Sequence, residues 1–394
     1  MIRERLGFPP PDTPMEIFER KKGQGMRPAD EAELAEAIRD ATGPLRIVGG
    51  GTRGIGLPGA GAVLETGALT GIRLYEPGAL TLVAGAGTPL AEVEAVLAAE
   101  GQRLPFEVPD MRGLLGTAGN STLGGVAAAN ASGPRRIRAG ACRDSLIGVR
   151  FVDGAGTVIK NGGRVMKNVT GYDLVKLLAG SRGTLGVLSE VSFKLSPVPA
   201  AALTLVLRRL DDRKAVAAMA AALGSPFEVN GAAHWPSEGT FLRIEGLAAS
   251  VAYRADRLAQ LLARFGTVDR EEGPTVAARW AAIRDVAPLQ GKAGDVWRLS
   301  VTPSEAPAVV SRMGAEAVLY DWGGGLIWAL LAPGTDLRAR IGPISGHASL
   351  VRATQDTLAR IGAFPPEPAP IAALARGLRE RFDPRGILNP GLMA

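Results

Sequence analysis

Apolar and polar positions along the first 200 residues follow two periods, one typical of helices and one typical of strands. Leu34 and Ile38 lie four positions apart behind Asp30, which predicts a helix over residues 30–41 that Asp30 caps. The segment PLAEVEAVLAAEG combines a helix start with a glycine stop and predicts a second helix. Strands are predicted in LRIVGGG, AVLET, LTLVAGAG, IGVRFVD and VLSEVSFKLSP. The first region is therefore mixed α/β with many turns, and we place its end at Pro197.

From about residue 201 the density of glycine falls and the pattern changes. Helices are predicted in DRKAVAAMAAAL and ASVAYRADRLAQLLARFG. Strands are predicted in LTLVLRRL, FEVNGAAHW, TFLRIEGL, WRLSVTP, EAVLYDWG and GLIWALLA. This order indicates an antiparallel sheet with helices on one face. The last segment, IAALARGLRERFDPRGILNPGLMA, predicts a helix followed by a tail punctuated by prolines.

Composition supports a large folded protein of two or three domains. The 394 residues are 46% hydrophobic and 21% charged, so the chain can bury a substantial core. The 52 glycines and 28 prolines follow no regular period. We therefore expect them in tight turns and where the backbone approaches a ligand closely.

The rare residues exclude several kinds of site. One cysteine, Cys142, rules out an internal disulfide and an iron–sulfur cluster or thiolate zinc site held by this chain alone. Two distant histidines, His234 and His347, argue against a histidine metal cluster, so no metal is expected. Low cysteine usage, the absence of an apolar segment in MIRERLGFPPPD and the lack of an 18-residue apolar run predict a cytoplasmic protein without membrane insertion. A net charge of +6 with scattered arginines favours a solvated surface over nucleic-acid binding.

Three glycine-rich blocks are the main candidates for chemistry. The first contains Gly49, Gly51 and Gly54 in the spacing GxGxxG, but glycines and a proline at 56–61 prevent the helix that a Rossmann site needs. This loop alone is either an anion-binding nest or an ordinary turn. The second block is GTAGNSTLGGVAAANASG, in which a short helix is expected to start at the glycine pair; the third runs from Gly163 to Leu195. Three such loops separated by strands indicate an extended dinucleotide that lies across one domain.

Together these blocks resemble the FAD-binding domain of the vanillyl-alcohol-oxidase superfamily, the flavoproteins related to p-cresol methylhydroxylase. The resemblance rests on GGGTRG, STLGGVAAANASG, CRDSLIGVRFVDGAG, GYDLVKLLAGSRGTLGVLSEVSFKL and FDPRGILNPG, in that order over nearly the whole chain. It implies an α+β fold in which residues 1–200 form an FAD-binding domain of two α+β subdomains. Residues 201–350 would form a cap with an antiparallel sheet, and residues 351–394 a helix and tail that return to the FAD-binding domain.

The resemblance also implies which residues hold FAD. The pyrophosphate would lie on the first loop, with Thr52 as a side-chain donor: Gly49, Gly50, Gly51, Thr52, Arg53 and Gly54. The flavin side would be lined by Ser121, Thr122 and Gly125, with Asn130 and Gly133 near the isoalloxazine or ribityl group. The adenine or ribityl portion would be flanked by Gly183, Thr184, Gly186 and Val187. Some relatives bind flavin through a histidine in or near the first loop; this chain has none there, so we expect non-covalent FAD. We interpret Cys142 as a small buried hydrophobe.

The cap departs from the superfamily's 2-hydroxy-acid dehydrogenases, which carry a GHxGDGNLH segment. The corresponding LYDWGGGLIW, residues 319–328, keeps the glycine turn but lacks both histidines. Tyr320 and Asp321 remain as candidate bases, although each needs a shifted pKa to act near neutral pH. Arg284 and Arg298 are either carboxylate clamps or structural ion pairs.

An intact flavin domain with these histidines replaced resembles the E-type subunits of bacterial glycolate oxidases (glycolate dehydrogenases). The resemblance implies a complex that oxidises glycolate to glyoxylate. A larger paralogous FAD subunit would hold the main catalytic site, and an iron–sulfur subunit would carry electrons onward. The complex could lie peripherally at the inner face of the cell membrane through these partners. Two alternatives stay open: a self-sufficient FAD-dependent dehydrogenase of glycolate or D-lactate, and a non-catalytic nucleotide-binding scaffold.

Aromatic residues of the cap have structural interpretations as well. His234 and Trp235 form a pair that we interpret as packed or half-exposed rather than facing the flavin. Four of the five tryptophans fall in one region, where core packing is the first interpretation and a subunit interface the alternative. They are Trp280, Trp297, Trp322 and Trp328.

Overall fold

The computed structural model describes residues 25–57, 59, 61–163 and 171–393. The segment MIRERLGFPPPD and the beginning of the third glycine block, at 164–170, lie outside the described residues. Strands are β1 (Leu45–Val48), β2 (Ala62–Glu65), β3 (Ile72–Glu76), β4 (Thr81–Gly85), β5 (Gln102–Arg103), β6 (Leu146–Val152), β7 (Val158–Gly162), β8 (Val187–Lys194), β9 (Ser196–Pro197), β10 (Ala201–Leu207), β11 (Gly231–Trp235), β12 (Gly239–Gly246), β13 (Val268–Glu272), β14 (Asp295–Val301), β15 (Ala317–Asp321), β16 (Leu326–Leu331) and β17 (Gly346–Arg352).

The α-helices lie between these strands and after the last of them. They are α1 (Glu31–Arg39), α2 (Leu90–Ala99), α3 (Arg112–Leu115), α4 (Leu123–Ala128), α5 (Arg136–Ala139), α6 (Cys142–Ser145), α7 (Leu174–Leu178), α8 (Asp212–Leu223), α9 (Ala248–Leu262), α10 (Pro274–Arg284), α11 (Ala306–Met313), α12 (Leu337–Ile341), α13 (Gln355–Ile361) and α14 (Ala369–Phe382). In the part of the chain that the structure describes, no helix is long and apolar enough to cross a membrane.

The first structural unit is built on β1 and β2, which pair in parallel. Helix α1 covers them, and the carboxylate of Asp30 accepts a hydrogen bond from the Glu33 amide at 2.9 Å, which confirms the predicted cap. Its core includes residues from α1, both strands and the C-terminal tail. Among the described residues between β1 and β2 there is no α-helix, so the expected failure of the Rossmann pattern is confirmed.

The second unit is an antiparallel sheet in the order β3-β4-β8-β6-β7. Helices α2, α4 and α7 contribute apolar side chains to its core, and the predicted helix start at Gly124 is confirmed in α4. Strands β3 and β7 escaped the sequence analysis. Both lie at sheet edges and leave most side chains partly or fully exposed, so their apolar signal is weak.

The cap is an eight-stranded antiparallel sheet in the order β13-β10-β12-β11-β15-β16-β14-β17. Helices α8, α9, α11 and α12 form a core with one face. The pattern predicted the antiparallel sheet with α8 and α9, but the expectation of helices on one face alone was wrong, because α10 covers the other face. The other face packs against α10 and against Met111 and Leu114 of the preceding domain. Helix α10 was not predicted, although Val276, Trp280 and Ile283 follow the i, i+4, i+7 spacing of a buried helix face. The fold is the α+β architecture expected, with an FAD-binding-type domain beneath an antiparallel cap.

Buried ion pairs join the two domains. Glu107, below the cap, lies 2.9 Å from the Arg243 guanidinium of β12, and Arg135 lies 2.7 Å from Glu245 of the same strand. Burial opposes the charge of Glu107, but Arg243 and Arg135 outweigh it and hold the pKa of that carboxyl below its usual value. The network fixes how the cap lies over the domain beneath it.

Candidate functional site

The first two glycine loops lie directly against each other. A Cβ on Gly50 would collide with the Asn120 carbonyl, and a Cβ on Gly49 would lie 2.7 Å from the Thr122 hydroxyl oxygen. Gly51 has a φ of +70°, in the left-handed region that favours glycine. Gly50 needs glycine because it meets the backbone of the second loop, Gly49 because it meets the Thr122 side chain, and Gly51 because of its φ. The glycines leave a cleft walled largely by main chain.

The cleft is a cavity of about 470 Å³. The third glycine block joins it through the loop after α7, and Asn389 of the C-terminal tail completes the wall. Asn389 accepts a hydrogen bond from the Ile47 amide at 2.8 Å and donates one to the Arg182 carbonyl at 2.8 Å, so it links the first and third loops. Most of the residues that the resemblance assigns to FAD line this cavity: Gly49, Gly50, Gly51, Thr52, Arg53, Gly54, Thr122, Gly125, Gly183, Gly186 and Val187.

Arg53 places a positive charge at one end of this cavity. Its guanidinium donates to the Ser121 hydroxyl at 2.5 Å and to the Pro109 carbonyl at 2.9 Å. Burial lowers the pKa of Arg53, and the nearby Asp110 partly opposes that effect. Ser121 does not line the cavity; it holds the arginine from behind.

A larger cavity of about 710 Å³ lies between the FAD-binding-type domain, the cap and α14. It shares Arg53, Ile55, Ala129 and Arg182 with the smaller cavity, so the two adjoin and form one elongated space. Volumes of this size are typical of ligand sites. An extended dinucleotide fits this shape: the glycine walls admit a pyrophosphate, and the larger cavity has room for a flat ring system.

Two further residues that the resemblance assigns to FAD lie outside both cavities. The carbonyl of Gly133 accepts a hydrogen bond from the Trp322 indole at 3.1 Å, and a Cβ there would lie 2.9 Å from that of Glu107. Gly133 therefore permits close packing between domain and cap. The hydroxyl of Thr184 donates to the Ser181 carbonyl at 2.7 Å within its own turn. Asn130 lines the larger cavity.

The two candidate bases do not line either cavity. The Tyr320 hydroxyl donates to Asp212 at 2.7 Å, and burial raises the pKa of this phenol further above its usual value. Asp321 is only 4% exposed and accepts from the Trp322 amide at 2.7 Å; burial raises its pKa to about 7. Asp321 thus titrates in a useful range but has no access to the cavities. These placements do not support either residue as the base.

The two candidate carboxylate clamps differ in placement. Arg284 forms two hydrogen bonds of 2.8 Å with Asp285 and lines neither cavity, which favours the structural ion pair. Arg298, on β14, lines the larger cavity beside Trp328. Only Arg298 is placed to meet a ligand.

Sequence reasoning missed His347, which lines the larger cavity from β17. It pairs with Ser300 of β14, two residues from Arg298, so the two side chains share one face of the cap sheet. Partial burial and the charge of Arg298 lower the pKa of His347. No motif surrounds this histidine, and only the pairing of β14 with β17 brings it to the cavity.

The remaining histidine, the cysteine and most of the tryptophans have packing roles in the fold. His234 is buried and contacts the Thr240 hydroxyl at 2.9 Å, which confirms it as a packed residue. Cys142 is fully buried, and burial raises the pKa of its thiol, as expected of a small core residue. Trp280 and Trp297 are core residues, and Trp328 is buried beside the larger cavity.

Comparison with known proteins agrees with this geometry. Residues 25–162 match the family model described as FAD binding domain. The chain is 34% identical to the glycolate oxidase subunit GlcE of Escherichia coli over 365 residues, which cover 92% of this chain and 95% of that protein. It is 43% identical to the glycolate oxidase subunit GlcD of Bacillus subtilis over 86 residues, 22% of this chain and 18% of that one.

A solved structure shares the architecture. An alkyldihydroxyacetonephosphate synthase superposes with a TM-score of 0.66 at 16% identity, covering 93% of this chain and 76% of that one. This likeness concerns the fold alone. With the GlcE match over nearly the full length of both chains, the chain belongs to the family of the glycolate oxidase subunit GlcE, within the vanillyl-alcohol-oxidase-type FAD-binding flavoproteins.

Proposed function

We propose that this chain is the FAD-carrying subunit of a complex that oxidises glycolate to glyoxylate. FAD is its cofactor, and we expect it to bind non-covalently across the two adjoining cavities. When bound, FAD supplies an acceptor for the two electrons of the oxidation. The observation that carries the proposal is the elongated, glycine-walled site in a chain that matches a glycolate oxidase subunit over 92% of its length.

The chain's own residues hold the cofactor in this proposal. The backbone of residues 49–54 would receive the pyrophosphate, with Arg53 adding a positive charge and Thr52 a hydroxyl. Gly183, Gly186 and Asn389 would form the opposite wall, since all three line the same cavity. The cap and α14 would close the larger cavity over the flavin ring.

The main oxidation site would lie on a larger paralogous flavoprotein subunit. Two observations support this division: the GHxGDGNLH histidines are replaced by LYDWGGGLIW, and Tyr320 and Asp321 do not line the cavities. A chain with one cysteine cannot itself hold a cysteine-ligated cluster, so an iron–sulfur subunit would carry electrons onward. Any association with the inner face of the cell membrane would come through these partners.

The test uses the isolated chain and the chain assembled with its partners. Both are mixed with glycolate without oxygen, and flavin absorbance is followed. We expect the isolated chain to contain FAD and to show no bleaching, whereas the complex bleaches. Sustained glycolate turnover by the isolated chain would contradict the division between subunits.

A self-sufficient 2-hydroxy-acid dehydrogenase is the second candidate. Arg298 and His347 favour it, because both line the larger cavity from one face of the cap and could meet a carboxylate and a hydroxyl. Bleaching of the isolated chain by glycolate or D-lactate would select this function over the first.

A further inference from the structure

Six of the described arginines line the larger cavity: Arg53, Arg136, Arg182, Arg298, Arg376 and Arg379. Three of them come from distant parts of the chain and lie against aromatic rings. Arg136 comes from α5, Arg182 from the loop after α7 and Arg298 from β14. The Arg136 and Arg298 guanidinium carbons lie 4.6 and 5.3 Å from the centre of the Trp322 ring, so one indole contacts both cations. Arg182 lies 5.5 Å from the Phe364 ring. Aromatic faces therefore surround the three charges.

These cations lack the partners that neighbouring arginines have. Arg135, Arg243 and Arg284 are each within 3 Å of a carboxylate oxygen. Within the described ranges, no carboxylate forms an ion pair with Arg136, Arg182 or Arg298. Among the described residues lining the cavity, the one carboxylate is the exposed Glu367. Cation–π contacts offset only part of the cost of burying such charges.

The arginines also repel one another. Burial, and then the charges of Arg136 and Arg182, lower the pKa of Arg298 to about 10. Burial likewise lowers the pKa of Arg182 to about 10. A group of buried like charges is unfavourable until an opposite charge joins it. The cavity is therefore electrostatically suited to an anion.

The anion expected here is distinct from the FAD pyrophosphate, because two of the three arginines line only the larger cavity. Arg182 lines both cavities and is able to serve the phosphates, but Arg136 and Arg298 line only the larger one. Beside Arg298, its strand partner Ser349 and the nearby His347 offer polar groups for a second oxygen. A planar guanidinium pairs with a carboxylate through two hydrogen bonds, and Trp328 supplies a flat apolar wall.

We propose that Arg136 and Arg298, with Arg182 at the junction, bind the carboxylate of a small organic acid in this subunit itself. This proposal rests on the proposed function in one respect: FAD is taken to occupy the smaller cavity and part of the larger one. The proposal concerns only the binding of the acid, and it does not require that this chain oxidises the acid.

The experiment measures oxalate affinity of the FAD-loaded chain by calorimetry at fixed ionic strength. Oxalate has no carbon-bound hydrogen to give up, so binding is not confused with turnover. We expect Arg298→Met and Arg136→Met each to weaken oxalate binding at least about tenfold, with FAD content unchanged. Arg298→Lys, which keeps the charge, is expected to retain part of the affinity.

Arg138→Met is the matched control. Arg138 lies on the same short helix as Arg136, but it is exposed and pairs with Glu228 at 2.6 Å. Its variant should bind oxalate like the wild type. A melting curve for each variant confirms that it is folded.

Three results of the oxalate titrations would overturn the proposal: no oxalate binding, oxalate binding unchanged in both Met variants, or loss of FAD rather than oxalate in those variants. The loss of FAD would assign the arginines to the cofactor's phosphates. A colourless wild-type chain would contradict the proposed function instead, and oxalate titration of that colourless chain would still test the anion site. Inorganic phosphate, titrated in parallel, should bind more weakly than oxalate; tighter phosphate binding would also overturn a carboxylate site.

Discussion

Single residues decide where the backbone of the cleft can come together. Gly50 touches the neighbouring loop so closely that a methyl group has no space, because the obstacle is the Asn120 carbonyl rather than a flexible side chain. Other glycines of the chain do have space for a methyl group. Gly43, which precedes β1, has nothing within 4 Å of a built Cβ.

We therefore predict that Gly50→Ala loses most bound FAD, since the first loop must shift away from the second. The ratio of flavin to protein after purification measures the effect. Gly43→Ala is the control and should keep the wild-type ratio. Wild-type flavin content in Gly50→Ala would show that the contact between the loops does not shape the site.

Asp321 is a second residue whose surroundings lead to a testable prediction. Burial raises its pKa to about 7 in the folded chain, above the ordinary value of 3.8. Between about pH 4 and pH 7 the folded chain keeps this proton while the unfolded chain has lost it, so stability falls by about 1.4 kcal/mol per pH unit over that range and levels off above about pH 7.

We expect Asp321→Asn to remove this dependence, because asparagine stays neutral and its oxygen can still accept from the Trp322 amide. Chemical denaturation of both proteins from about pH 4 to about pH 9 gives the free energy of unfolding. The variant should gain stability relative to the wild type as pH rises from about 4 to about 7, and the difference should stay constant above that range. Parallel curves for the two proteins between about pH 4 and pH 7 would contradict the raised pKa.

At the scale of elements, β12 connects the cap to the domain below. Its Glu245 accepts from Arg135 at 2.7 Å, from Arg103 at 3.0 Å and from Asn230 at 2.7 Å. Three cationic or polar groups thus depend on one buried carboxylate. Its removal leaves buried charges without a partner, which costs more than the loss of a surface pair.

We predict that Glu245→Gln lowers the free energy of unfolding by about 3–5 kcal/mol. The matched control is Glu228→Gln, whose carboxylate is 56% exposed and pairs with Arg138 at the surface. That variant should lose less than about 1 kcal/mol. Denaturant titration checks both, and equal losses would show that the pairs between domain and cap are no more important than a surface pair.

The element scale also shows the limits of periodicity. Helix α1 and its Asp30 cap followed from local spacing, because capping and one buried face are short-range properties. Strand β17 was missed, because it begins at exposed Gly346 and His347 and becomes buried only from Ala348 onward. Edge strands and residues without a motif carry little local signal.

At the scale of the whole molecule, the glycine loops could be predicted from sequence, whereas the charges around the larger cavity could not. The glycine-rich composition of each loop is visible in the sequence, although the contact that requires glycine at position 50 comes from a distant loop. Arg136 and Arg182 look like ordinary surface arginines until the fold brings them to Arg298 and Trp322. Likewise, only the fold shows that Tyr320 and Asp321 line neither cavity, which does not support either residue as the base.

One dinucleotide is expected to span both cavities. The most direct measurement is a titration of the flavin-free chain with FAD and with FMN, which lacks the adenylate half. We predict one equivalent of FAD, released intact by acid, and at least about tenfold weaker FMN binding because the glycine-walled cavity stays unfilled. Equal affinities for FAD and FMN, or no binding of either, would contradict the account.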